Sequence, residues 1–390
     1  MIPVAEATAR LLALAPRLPA EEVPLAEAAG RVLAQDAVAA RAQPPFDAAA
    51  MDGYAVRRAG LAPGARLRVT GEAAAGRGFP GHVDPGEAVR IFTGAPMRAG
   101  ADAVVSQEDV ARNGDWIEVL DTLGEGTNVR RAGCDFAPGD RLAAPRRLTP
   151  ADVALLAAMN LPAVRVARRP EVAVIATGDE LVLPGQPPGP DQIVASNAYG
   201  LKAMAEAEGA RVRLLPIARD REAALHSVLA LAEGADLIVT IGGASVGDHD
   251  LVAPVVRAMG AELAFHKVAM RPGKPLMSGR LGAAVLLGLP GNPVSSMVCG
   301  TLLQRPVLGA MQGISDLLPP RLTARLAAPL GANGPREHYM RAREDGGTIT
   351  AFDRQDSSLL TVLAEANALL IRPASDPPRR VGEIVDFLRL

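Results

Sequence analysis

Apolar and polar positions change texture several times along this chain. Residues 1–15 put Val4, Ala7, Leu11 and Leu14 at the spacing of one helix face, and Glu21–Ala40 reads as a helical continuation. The texture breaks at Gln43-Pro44-Pro45-Phe46-Asp47. Beyond it, AAAMDGYAV sets Asp52-Gly53 between apolar residues, which predicts a hairpin turn. Short mixed runs separated by Gly and Pro follow from Leu67 to Asp121 and predict strands; a charged loop, 128–140, carries Arg130, Arg131 and Asp135. Helix returns over Leu148–Asn160, with Thr149 as its cap and Pro150 at its first position. The expected layout is a helical domain from 1–45 and 139–168, interrupted by a β-rich insertion over 46–138.

At Glu171 strands begin to alternate with helices. VAVIA, Asn197–Ala207, Arg211–Ile217 and Arg221–Ala232 lead to three apolar runs: Asp236–Ile241, Leu263–Met270 and Ala284–Leu289. Each run ends in a loop of Gly, Pro and small polar residues. This predicts a doubly wound α/β domain over 169–315, with ligand bound outside the carboxyl ends of its strands. After Leu317-Leu318-Pro319-Pro320, short strands predict a small barrel-like domain over 316–390.

Composition changes this picture little. A chain of 390 residues is long for one core, and 39 Gly with 33 Pro spread along it imply many tight turns. The net charge of −2 argues against a nucleic-acid surface. Cys134 and Cys299 form neither a disulfide framework nor a zinc spacing, and the five histidines show no paired pattern. No run reaches the ~20 apolar residues of a membrane span, and the N-terminus lacks a basic leader with a cleavage site. The expectation is a soluble cytoplasmic protein with no membrane and no nucleic-acid partner.

The loops carry the chemistry. Gly242 and Gly243 let backbone amides approach an anion, and Ser245 adds a hydroxyl. In Pro290-Gly291-Asn292-Pro293 the second proline can open a helix, freeing the amides of Val294, Ser295 and Ser296 for a phosphate. Lys267, Arg271 and Lys274 gather three cations around one loop, while Asp248 and Asp250 are oxygen donors suited to a divalent metal. Thr177 to Glu180, and Asp220, follow strands of the same domain. Each feature alone has a bland reading, as a turn or a solvated charge. Together, at one sheet edge, they favour a phosphorylated anionic ligand with a metal.

In chain order, PPFDAAAMDGYAV, RIFTGAP, ADAVVSQED, RRAGCD, VIATGDEL, SNAYGL, TIGGASVGDHD, KVAMRPGKP and LPGNPVSS resemble the motifs of the molybdopterin molybdotransferase (MoeA) family, which is related to the gephyrin E domain. The resemblance covers the chain nearly end to end. It implies an enzyme that inserts molybdate into adenylylated molybdopterin and releases AMP, assisted by magnesium, late in molybdenum cofactor biosynthesis. It also implies a fold of four parts: an elongated helical domain, the β-rich insertion, an α/β domain resembling molybdopterin adenylyltransferase, and a C-terminal β-barrel. By the same resemblance the protein is a homodimer whose sites form between the insertion of one subunit and the α/β domain of the other. Transient contact with the adenylyltransferase and with downstream cofactor acceptors follows.

Carried over by position, the resemblance makes Asp52, Thr93, Asp135, Glu180, Asp220 and Asp250 catalytic candidates, with Glu180, Asp250 and Asp52 near magnesium. Lys267, Arg271, Lys274, Pro290 and Pro293 bind substrate, and Arg336 with Ser357 and Ser358 helps hold molybdate beside Lys274. Many bacterial relatives carry Lys where this chain has Arg271, which exchanges a point charge for a planar fork. Bland readings stand beside several of these: a turn residue for Asp52, a turn hydroxyl for Thr93, an ion pair with Arg130 or Arg131 for Asp135. Cys134 lacks a base partner and reads as incidental, and His249 as a solvated loop residue. Competing functions are the adenylylation step itself, a binding scaffold, and a preference for tungstate.

Overall fold

In the computed structural model, residues 1–121, 124–243 and 251–390 are described. The first helix, Val4–Leu12, buries Val4, Ala7 and Leu11, the face expected from the spacing. It packs by that face into the α/β core, beside Phe265, Val268 and Met311.

The expected helix over Glu21–Ala40 is absent. Strands Ala20–Pro24, Val32–Leu33 and Ala37–Val38 take its place. Pro24 lacks an amide donor near the start of the segment, Gly30 turns the chain at φ 74°, and Ala20–Pro24 pairs antiparallel with Ala163–Ala167. Tertiary pairing thus overrides the helical propensity of an Ala-rich run. Arg31 is buried beneath this sheet, where it meets the Glu21 carboxylate and donates to Ala167 O at 2.9 Å. Helix Pro150–Ala158 covers it with the capping box that Thr149 promised: Asp152 N–H donates to the Thr149 hydroxyl, and Thr149 N–H to Asp152 Oδ2 at 2.8 Å.

The insertion is built on a six-stranded sheet ordered Ala103–Ser106, Gly53–Val56, Glu87–Ile91, Arg66–Ala73, Trp116–Val119, Val110–Asn113. Asp52-Gly53 does not turn a hairpin. Gly53–Val56 runs between Ala103–Ser106 and Glu87–Ile91, whereas Ala48–Ala49 pairs with Val129–Arg130. Gly53 is required by crowding, since a Cβ there would lie 2.0 Å from Val105 O.

The α/β sheet is ordered Arg211–Leu214, Glu171–Ala176, Leu237–Ile241, Ala284–Leu289, Met277–Leu281, Glu262–His266. The first four strands are parallel and the last two pair antiparallel. The run over Leu263–Met270 is therefore not a central parallel strand: Met270–Arg271 pairs with Glu337–Asp345 of the barrel, and Glu262–His266 lies at the sheet's edge. Because Met277 faces both Gly288 and His266, that strand still points the same way as Ala284–Leu289. Its loop consequently emerges at the same sheet edge as the other two.

Five strands, Glu337–Asp345, Thr348–Ala351, Leu322–Leu326, Ile384–Arg389 and Ala368–Arg372, close into a barrel through pairing of the last with the first. Asp376 is buried against it, bonded to Arg372 and, at 2.6 Å, to Arg379. Tyr339, Leu369 and Leu388 of the barrel join the α/β core, so the two parts share one apolar interior. Among the described residues, no helix is long and apolar enough to cross a membrane.

Candidate active site

The carboxyl ends of three parallel strands are laced together. Thr177 N–H donates to Ile241 O at 2.9 Å, Gly242 N–H to Leu289 O at 3.0 Å, and Gly178 N–H to Ala218 O at 3.1 Å. A cleft of about 650 Å³ opens there, within the usual range for small-molecule sites. Of the expected residues, Glu180, Asp220, Gly242, Gly243, Pro290, Gly291, Asn292, Pro293 and Ser358 line it. Gly242 holds φ 90°, and a Cβ there would stand 2.8 Å from the Thr177 hydroxyl. A side chain would be strained and crowded at once.

On the acidic part of the lining, Asp220 N–H donates to Asp179 Oδ1 at 3.2 Å, and Asp179 N–H reaches Asp220 Oδ2 at 3.4 Å. Arg219 shapes this corner: its Nη1 donates to the carbonyls of Gly178, Asp179 and Leu181. The loop is thereby fixed while the Glu180 and Asp220 carboxylates stay exposed at the cleft. Oxygen donors without His or Cys suit a hard cation such as magnesium. Among the described residues, however, no three His, Cys, Asp or Glu side chains gather into a ligand set. Ser245, Asp248, His249 and Asp250 lie outside the described residues.

Beside the cleft the loop 267–276 is held by Lys267 N–H on Leu276 O at 2.8 Å and Val268 N–H on Lys274 O at 3.2 Å. Pro275 of this loop lines the cleft; Lys267, Arg271 and Lys274 do not. None of the three cations has an ion pair among the described residues. Lys267 itself holds φ 77°, a left-handed backbone that favours glycine. The chain's second residue brackets it: Ile2 N–H donates to Lys267 O, and Ala269 N–H to Ile2 O. Arg336 joins from the barrel, its Nη1 on Met270 O at 3.2 Å. Burial, reinforced by Arg271, Arg341, Arg372 and Arg336, pushes the nearby His338 down to about 4. His338 is accordingly neutral at physiological pH, chiefly because it is buried and secondarily because four guanidinium groups lie near it.

The barrel completes the cleft through one loop. Gln355 and Arg341 exchange hydrogen bonds, Arg341 N–H to Gln355 Oε1 at 3.0 Å and Gln355 Nε2 to Arg341 O at 2.9 Å. Arg341 Nη2 also donates to Asp356 O at 2.9 Å. The loop so anchored turns Ser358 into the cleft and presents Ser357 O to Val294 N–H at 3.0 Å; with Ser296 N–H on Asn292 O, two of the three amides expected to be free for a phosphate are taken. Ser295 is buried in the helix Pro293–Cys299 and does not line the cleft. Its neighbour Ser296 instead ties the turn, donating to Pro290 O and Asn292 O.

The insertion brings Asp52 and Thr93 together. Both the Thr93 amide and its hydroxyl donate to Asp52 Oδ1, and they hold that carboxyl below its ordinary range. Arg90 is stacked between Tyr54 and Phe92, at 5.1 and 4.7 Å from the ring centroids, and donates to Gly53 O. Asp135 is exposed and makes no ion pair with Arg130 or Arg131; Arg131 bonds Asp47 at 2.6 Å instead. None of Asp52, Thr93 and Asp135 lines the cleft.

Sequence reasoning passed over Asn197, whose Nδ2 donates to Gly291 O at 2.7 Å and binds the two cleft loops together. The signal was available, because Ser196-Asn197 opens a helix within SNAYGL. Arg219, Arg90 and Arg341 gave no comparable signal: each acts through backbone carbonyls that only the folded chain assembles.

Three family models match the chain: the MoeA N-terminal region (domain I and II) over residues 2–160, a probable molybdopterin binding domain over 173–310, and the MoeA C-terminal region (domain IV) over 323–390. A molybdopterin molybdenumtransferase of Nostoc sp. is 35% identical over 97% of this chain and 91% of its own length. Molybdopterin molybdenumtransferase 2 of Mycobacterium tuberculosis is 37% identical over 93% of this chain and 92% of its own. The crystal structure of the MoeA protein of Pyrococcus horikoshii superposes with a TM-score of 0.86 at 29% identity, with 100% of both chains covered. Laced strand ends, a cationic loop, a barrel that supplies Ser358 and these full-length matches agree, and the chain belongs to the MoeA family.

Proposed function

We propose that this chain is a molybdopterin molybdotransferase that joins molybdate to the dithiolene of adenylylated molybdopterin and releases AMP. The observation that carries the reading is the pairing of a cleft, edged by glycine backbone and by Glu180 and Asp220, with three cations on the adjoining loop that have no ion pair among the described residues. The reaction brings two anions together and breaks a pyrophosphate link, so negative charge must be neutralised as it develops. Lys267 and Lys274 are suited to phosphate or molybdate oxygens, and Arg271 with Arg336 to planar contacts with the same oxygens. The amides of Gly243, Gly291 and Asn292 suit the phosphate, that of Gly242 being held by Leu289 O. Glu180 and Asp220, with Asp250 and, from the insertion, Asp52, would hold magnesium, which supplies charge neutralisation at the phosphates. The homodimer with shared sites, a cytoplasmic location, and handover from the adenylyltransferase to downstream acceptors belong to the same reading.

The test is incubation with adenylylated molybdopterin, magnesium and molybdate. AMP release with formation of active cofactor is expected, chelation should stop it, and added magnesium should restore it. Full activity in excess chelator removes the metal from the reading. Stoichiometric binding without turnover replaces an enzyme with a scaffold.

A further inference from the structure

Two branched apolar residues stand exposed in the cleft. Ile193 and Val194 line it, yet they are 59% and 41% exposed, among the most exposed large apolar side chains of the α/β domain. They are not placed there by slack in the chain. Their backbone pairs in parallel with Leu181–Val182, with Ile193 N–H on Glu180 O at 2.8 Å and Ala195 N–H on Val182 O at 2.9 Å. Between the paired segments run Pro184, Pro187, Pro188 and Pro190, which limit the arm's conformations. The arm is thus fixed by its main chain while both side chains remain exposed to the cleft. Elsewhere the lining at Gly242, Gly243 and Gly291 carries no side chains at all, and a Cβ on Gly291 would come within 3.6 Å of Gly242 Cα.

Exposed apolar surface within a cleft gains free energy only when a ligand covers it. A bare-backbone lining admits close approach of a flat group, and branched aliphatic side chains pack well on its face. We infer that Ile193 and Val194 hold the flat nitrogen heterocycle of the substrate, while the glycine turns take its phosphate end. This rests on the reading of the cleft as the substrate site, which it deepens. Pterin and adenine rings share the required chemistry, and separate ligands tell them apart.

The experiment uses the full-length protein with Ile193→Ser and Val194→Ser combined, titrated calorimetrically with molybdopterin and, separately, with AMP. Losing two aliphatic contacts should weaken at least one of them roughly tenfold. The melting temperature and the oligomeric mass should not change, because the backbone pairing survives. Ile193→Val with Val194→Ile should restore affinity, and Val381→Ser, at an equally exposed residue of the barrel (61%), should change neither titration. Weakening confined to molybdopterin assigns the pterin to the arm, and weakening confined to AMP assigns the adenine. Unchanged affinity for both overturns the inference, as does weakening accompanied by loss of the dimer or of thermal stability. Binding of both ligands by the parent chain, without AMP release from adenylylated molybdopterin, counts against the proposed function and leaves the ring assignment standing.

Discussion

Thr93 gives its amide and its hydroxyl to the same oxygen of Asp52, each at 2.8 Å. The relationship follows from strand register. Gly53 pairs with Ile91, so the residue before one strand and the turn after the other meet at the sheet's end. Both donors favour the charged carboxylate, which is why its pKa lies below the ordinary value. Thr93→Val keeps the amide and loses the hydroxyl, and should move the Asp52 pKa up toward the ordinary carboxylate range. Carboxyl NMR titration measures this. A depressed carboxylate favours the fold above its unfolded pKa and loses that effect as pH falls through the native one. Asp52 therefore contributes no titration to a rate profile between about pH 5 and 8.

Lys274→Ala should raise the half-saturation concentration for molybdate more than that for the adenylylated pterin. Lys274 is an exposed cation with no ion pair among the described residues, whereas a phosphate in the cleft would also meet the backbone amides of Gly291 and Asn292. Steady-state titration of each substrate decides. A change confined to the nucleotide would move Lys274 away from the oxyanion.

Mixed dimers test the proposed sharing of the site between subunits. Asp52→Ala and Glu180→Ala should each be inactive alone. Unfolded together and re-paired, they should recover at most about a quarter of the parent AMP release, because half the dimers are mixed and each of those has one intact site. Two different tags establish that exchange took place. No recovery in verified mixed dimers places both halves of the site in one subunit.

Asp376 should matter to stability rather than to catalysis. Its bonds to Arg379 and Arg372 depress its pKa, and Arg372 and Asp376 are both buried. Asp376→Ala leaves the Arg372 charge without its partner, a loss of roughly 3 kcal/mol by the usual behaviour of broken buried pairs. Thermal or denaturant unfolding measures it. Because the native pKa is lowered, the parent's advantage should be complete above about pH 4 and fade as the pH falls further.

Local pattern made the strands of the α/β domain legible, since β-branched runs bounded by Gly and Pro have few other uses. The cap at Thr149 was equally readable, because its partner lies three residues away. Glu21–Ala40 was not. Its structure is decided by Ala163–Ala167, more than a hundred residues distant, and nothing in an Ala-rich run announces that pairing. Arg219 and Arg341 were hidden for another reason, since their carbonyl partners lie much nearer in sequence. A motif displays the residues that touch ligand, but it is silent about a guanidinium whose work is to gather carbonyls. Asp52 was legible as a site residue while its setting was not: Asp-Gly suggested a turn, and the fold made it the mouth of a central strand.

The left-handed backbone at Lys267 sets stability and chemistry against each other at one position. A residue with a Cβ in that conformation costs about 1 kcal/mol relative to glycine. Lys267→Gly would relax the loop and remove one of its cations. Were folding the sole pressure on this position, random substitution would drift toward glycine, so an engineer who raises thermostability by relieving strained backbone should leave this residue alone.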